Sequence, residues 1–194
     1  MMRRILRLLA CGAVVLSLVA CTPTGRAVGD TQDSMPSVAH DSTHKTDITV
    51  GFVGLTDTAA DKKAIDALAD DTLNVYYASL DTSGDSETAD KIAATAQQGI
   101  TDFVDRAVKI VIISGIDVTD ANRDSWNQAL TNVREAGIPV ALLNPKHAPE
   151  DELLYAAILN TDDAASAKSV SIADAVITIT RDEPHDRTIA VATE

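Results

Sequence analysis

The feature that most limits how this 194-residue chain can fold is a set of short, almost continuously apolar runs, each closed by a turn. Val108-Lys109-Ile110-Val111-Ile112-Ile113-Ser114 ends at Gly115, and Ile48-Thr49-Val50-Gly51-Phe52-Val53-Gly54 ends before Leu55-Thr56-Asp57. Ile138-Pro139-Val140-Ala141-Leu142-Leu143 exits through Asn144-Pro145-Lys146. Runs this short and β-branched, apolar on both sides, belong to strands covered on both faces. Further strands are expected at Leu73 to Leu80, Leu153 to Leu159 and, last and shortest, Thr188 to Ala192. Helical spacing fills the gaps: Ala59 to Ala69; Glu87 to about Arg106, with Ala89, Ile92, Ala93, Ala96, Ile100, Phe103 and Val104 on one face; then a helix bearing Trp126, Ala129, Leu130, Val133 and Ala136 and stopped by Gly137; and finally a helix capped by Asp162 and running to about Ile179. Strands alternating with helices in this way predict an α/β fold, a three-layer αβα sandwich around a mostly parallel sheet. Right-handed crossovers favour the strand order 2-1-3-4-5.

Upstream of this pattern the chain has a different character. Arg3, Arg4 and Arg7 precede an apolar run from Leu8 to Val19 of about a dozen residues, short of the roughly 20 that span a bilayer. Leu18-Val19-Ala20-Cys21 then resembles the lipobox of bacterial lipoproteins. That resemblance implies cleavage before Cys21, diacylglycerol on its sulfur and an extracytoplasmic protein anchored to the cell membrane by lipid. Residues 1–20 are therefore expected to be a signal peptide. Residues 21–46, rich in Thr, Ser, Pro, Gly and Asp, are expected to be a disordered tether, and 47–194 the folded lobe. His40, Asp41, His44 and Asp47 lie close together, but no helical pattern sets them at ligand spacing, so no metal is expected.

Charge and cysteine use exclude several classes. The chain carries −13 at pH 7, and −16 without the leader's three arginines. Nucleic acid is excluded as a partner, because phosphates need Lys and Arg to displace counterions. The second cysteine, Cys11, leaves with the leader, so the mature chain has no disulfide. No cofactor is expected. The Gly51/Gly54 pair lacks the third glycine of a dinucleotide loop, and no Gly-Lys-Ser/Thr phosphate loop or Gly-x-Ser-x-Gly elbow occurs. His147, with Glu150 and Asp151 close in sequence, is a lone histidine in a proline-flanked loop and is expected to be simply exposed, so no enzyme is expected.

The ordered phrases Gln98-Gly99-Ile100, Val108 to Ile113 and Ala136-Gly137-Ile138-Pro139-Val140, with Asn160-Thr161-Asp162-Asp163 after the fifth strand, resemble the N-terminal lobe of the type I periplasmic binding proteins. The similarity covers roughly Ile48 to Val191. It implies a solute-binding protein for a sugar or similar small polar solute, working with the permease of an ABC importer. It also implies that Thr188 to Ala192 opens a second lobe. The chain departs from the family in two places: Leu55-Thr56-Asp57-Thr58 replaces the loop aromatic that helps hold the sugar, and Asn144-Pro145-Lys146 replaces an Asp-Arg exit. A single-lobe interaction module, or a truncated remnant, is the alternative.

In open parallel sheets ligands sit at the carboxyl ends of the strands. That edge offers Thr56, Asp57, Asp81, Ser114, Asp117, Asn144, Lys146 and Asn160, whose hydroxyls, amides and charges suit sugar hydroxyls. Asn144 and Asp117 are the foremost of these. The same side chains also suit helix caps and turns. Trp126 lies on the apolar stripe of its helix and is expected in the core. Tyr76 and Tyr77 point to opposite faces of one strand.

Overall fold

The computed structural model describes residues 25–34, 43–54, 58–79, 89–162, 164, 166 and 168–193. Thr56, Asp57, Asp81, His40, Asp41 and Cys21, with the whole expected leader, lie outside these. Seven strands form one sheet: β1 (Thr49–Gly54), β2 (Asn74–Ser79), β3 (Ile110–Ser114), β4 (Val140–Leu143), β5 (Ala157–Asn160), β6 (Val170–Ser171) and β7 (Thr188–Ala192). Their order is β2-β1-β3-β4-β5-β7-β6, and every pairing is parallel. The α/β sandwich and the order of the first five strands are as the sequence predicts.

Among the described residues four helices cover the sheet: α1 (Thr58–Asp70), α2 (Ala89–Asp105), α3 (Arg123–Glu135) and α4 (Ile172–Thr180). Two separate cores record which face each helix takes. Ala64 and Leu68 of α1 and Ile172, Val176 and Ile179 of α4 pack with Val50, Phe52, Ile110, Ile112 and Val191. On the other face Ala96, Ile100 and Phe103 of α2 and Trp126, Leu130 and Val133 of α3 pack with Val53, Val111, Ile113 and Leu142. The alternation along β3, Ile110 and Ile112 one way and Val111 and Ile113 the other, is why that strand is apolar throughout. Gly51 lets α2 approach β1: a Cβ there would stand 2.5 Å from the Phe103 ring. Trp126, 1% exposed, is a core side chain as expected.

Gly137 ends α3 with φ +72°, while Gly137 N–H donates to Arg134 and Ile138 N–H to Val133, a left-handed helix stop. Tyr76 and Tyr77 on the edge strand β2 are each about two-fifths exposed; Arg106 lies over the Tyr76 ring and Tyr77 meets Phe52.

Four elements differ from expectation. The strand expected from Leu153 starts only at Ala157, because Asp151 accepts the Leu153 N–H and winds Glu152–Leu154 into a 3-10 turn. The helix expected from Asp162 begins at Ile172, where Ser171 accepts the Asp174 N–H, and its apolar run enters the core. The Thr188–Ala192 strand opens no second lobe within the described residues; it joins this sheet beside β5, with Val191 fully buried.

Finally, residues 25–34, expected in the tether, are packed on the lobe. Ala27, Asp30 and Thr31 are at most 5% exposed. Thr31 Oγ1 donates to the Glu183 carbonyl and His185 N–H to that of Gln32, while a His185 ring nitrogen meets Gly29 O at 2.8 Å. Asp30 pairs with Arg187, which also lies over the Tyr155 ring. Burial here combines polar pairing with the close fit of Ala27 and Gly29, and follows no apolar stripe.

Candidate functional site

The carboxyl ends of β3, β4, β5 and β7 open into a cavity of about 630 Å3, roofed on one side by the first turns of α1. Its polar lining comes from Lys63, Ser114, Asn144, Thr161 and Thr193. Such a cavity follows from the topology. Parallel strands end together, and the chain leaves neighbouring strands for opposite faces, parting the loops.

Asn144 fixes the floor. Its backbone is left-handed, φ +45°, a conformation that asparagine tolerates better than most residues. Its N–H donates to the Leu159 carbonyl. Its side chain then continues the sheet where backbone pairing stops: Nδ2 donates to Thr161 Oγ1 at 2.7 Å, and Oδ1 accepts the Thr161 N–H at 2.9 Å. One amide hydrogen and spare oxygen lone pairs remain for a ligand. Ser114, 6% exposed, ends β3 beside it. Lys63 is exposed at the rim.

Of the eight residues singled out from sequence, Ser114 and Asn144 line this cavity. Thr56, Asp57 and Asp81 lie outside the described residues. Three others take different places. Asn160 turns its amide oxygen to the Asp162 N–H, 2.8 Å away, and shapes its own turn. Asp117 and Lys146 stand on a ridge built by the β3 and β4 exit loops, which stay parallel past the sheet. There Lys146 N–H donates to the Ile116 carbonyl and Val118 N–H to that of His147. Asp117 Oδ1 lies 2.7 Å from His147 Nδ1, so His147 pairs with the residue 30 positions earlier rather than with Glu150 or Asp151. Asn122, 5% exposed, holds the ridge by accepting the Thr119 N–H and donating to the Asp117 carbonyl.

Sequence reasoning did not single out Lys63, Thr161 and Thr193 as cavity residues. Thr161 had a signal, since it stands two residues past the expected strand end at Leu159; Lys63 had only its place one turn into the helix after β1. Among the described residues no cluster of three His, Cys, Asp or Glu could hold a metal, and no helix is long and apolar enough to cross a membrane.

No protein-family model matches the chain, and no curated protein matches it. Several solved structures do. A galactofuranose binding protein shares 15% identity at a TM-score of 0.45, over 74% of this chain and 56% of that one. A Mycobacterium smegmatis protein in complex with beta-D-fucofuranose shares 16% at 0.46, over 75% and 55%. A putative pilus assembly-related protein from Burkholderia pseudomallei shares 16% at 0.43, over 75% of this chain and 97% of that one. The chain spans about half the length of the two sugar-binding structures. The likeness is one of strand and helix arrangement.

Proposed function

We propose that this chain is a lipid-anchored, extracytoplasmic solute-binding lobe that takes a sugar or similar small polar solute and presents it to the permease of an ABC importer, without catalysing a reaction. The observation that carries the reading is the cavity at the strand ends. Its volume falls within the range of small-molecule sites, roughly 300–1,000 Å3, and its polar groups are the hydroxyls and amide that exchange hydrogen bonds with solute hydroxyls. The lipobox-like Leu18-Val19-Ala20-Cys21 supports the anchor. The expected ligand residues Thr56, Asp57 and Asp81, which follow β1 and β2 in sequence, remain part of this proposal, whereas Asp117, Lys146 and Asn160 are not among the residues that line the cavity.

The test is a thermal-shift screen of the lobe against mono- and disaccharides and sugar acids. A ligand at a hundredfold excess over its Kd adds about 2.7 kcal/mol of stability, several degrees of Tm for a chain of this size. Absence of any shift at millimolar concentrations contradicts the reading.

A second reading, a single-lobe interaction module, draws on the far side of β5 and β7. Ile158, Asn160, Thr188 and Ala190 share that surface and none is fully buried. Sedimentation as a concentration-dependent dimer supports it; a monomer with no membrane crosslink counts against it.

A further inference from the structure

Residues 25–34 are bound to one particular end of the lobe. Gly29, with φ +78°, fits between Pro139 and Ile179, where a Cβ would stand 2.8 Å from the proline. Arg134 reaches the Arg26 carbonyl, Thr31 the Glu183 carbonyl, and Asp30 pairs with Arg187. Pro139 and Arg187 immediately precede β4 and β7, Arg134 lies in the last turn of α3, and Glu183 follows α4. Every contact therefore lies at the amino end of the sheet, opposite the cavity.

This placement changes what the anchor can do. A free tether over residues 21–46 would let the lobe wander over a root-mean-square distance of roughly 30 Å, and much further at full extension. With the strap docked, only four steps of chain separate Cys21 from Gly25, a reach of at most about 14 Å. The acidic surface adds no attraction to anionic lipid, so the short covalent link is what orients the lobe.

We propose that the docked strap holds the amino end of the sheet, around Gly29, Arg134 and Arg187, down against the lipid surface and turns the cavity away from it. The inference rests on the lipid anchor at Cys21 proposed above. It assigns Asp30 and Thr31, with His185 holding Gly29 and Gln32 from the lobe, an orienting role in place of the passive spacer expected for residues 21–46 from composition.

The experiment uses the lipidated full chain in vesicles of neutral lipid carrying a membrane-surface energy acceptor. The mature sequence has no cysteine but Cys21, so Lys109→Cys and Lys146→Cys each introduce one label, at the amino and carboxyl ends of the sheet. Both positions are exposed. The lobe is roughly 35–40 Å across for its length, so transfer from position 109 is expected to exceed transfer from 146 by at least about twofold. Inserting some twenty Gly/Ser residues between Thr24 and Gly25 leaves the strap intact and lengthens the reach roughly sixfold, so the two efficiencies converge. Equal transfer from the anchored wild-type lobe, or greater transfer from 146, overturns the orientation while leaving the anchor standing. Protein absent from the vesicle fraction overturns the anchor and the orientation with it.

Discussion

At the scale of single residues, three positions carry testable weight. Asn144 combines a left-handed backbone with the two hydrogen bonds that join the β4 and β5 exits. Asn144→Ala forfeits both bonds and strains the alanine, about 2–4 kcal/mol together. Asn144→Gly keeps the conformation and forfeits only the bonds, so it is expected to be milder in urea unfolding. Alanine milder than glycine would contradict the backbone argument. Asp30 is almost wholly buried opposite Arg187, so Asp30→Ala removes the carboxylate partner of a guanidinium that is itself only 22% exposed and costs about 3 kcal/mol. An unchanged urea midpoint would mean that the strap is no part of the fold. Gly51→Ala drives a methyl into the Phe103 ring and costs about 1–3 kcal/mol, with Phe103→Leu recovering part of it in the double variant. At this scale the sequence was partly legible. Ser114 and Asn144 could be placed because strand ends in a parallel sheet define one edge. The Asn144–Thr161 and Asp117–His147 pairs could not, because each joins two exit loops whose short polar residues follow no period.

At the scale of elements, legibility followed burial. β1, β3 and β4 are covered on both faces, so nearly every residue is apolar and the runs announce themselves. α3 shows the helical counterpart: Trp126, Leu130 and Val133 recur at the helical interval and all three are buried. Trp126→Ala empties the largest fully buried side chain in the lobe and is expected to cost about 3–5 kcal/mol. A loss below 1 kcal/mol, by chemical unfolding, would mean that α3 is loosely docked. Elsewhere local polar bonds overrode pattern. Leu153 and Leu154 look like strand but are wound into a turn by Asp151, and the helix that looks set to start at Asp162 starts at Ile172, behind the Ser171 cap. The strap at residues 25–34 is the largest such case. Composition marked it as spacer, yet one part-buried ion pair, a ring-to-carbonyl bond and a fitted glycine hold it to the lobe.

At the scale of the molecule, these parts make a lobe with two unlike ends. The strap closes the amino end, and the cavity opens the other, with its floor made by Asn144 and Thr161 and its rim by Lys63. The Asp117–His147 ridge is not part of that cavity's lining. The central claim is that a small polar solute occupies the space between α1 and the ends of β3, β4, β5 and β7. The most direct measurement is backbone-amide NMR of the isotopically labelled lobe, titrated with the solutes that raise its Tm. Saturable shift changes are expected at Lys63, Ser114, Asn144, Thr161 and Thr193, with the strap residues Gly29 to Thr31 unmoved. Changes confined to the strap, to the ridge or to the far side of β7, or no saturable change with any solute, would contradict that claim.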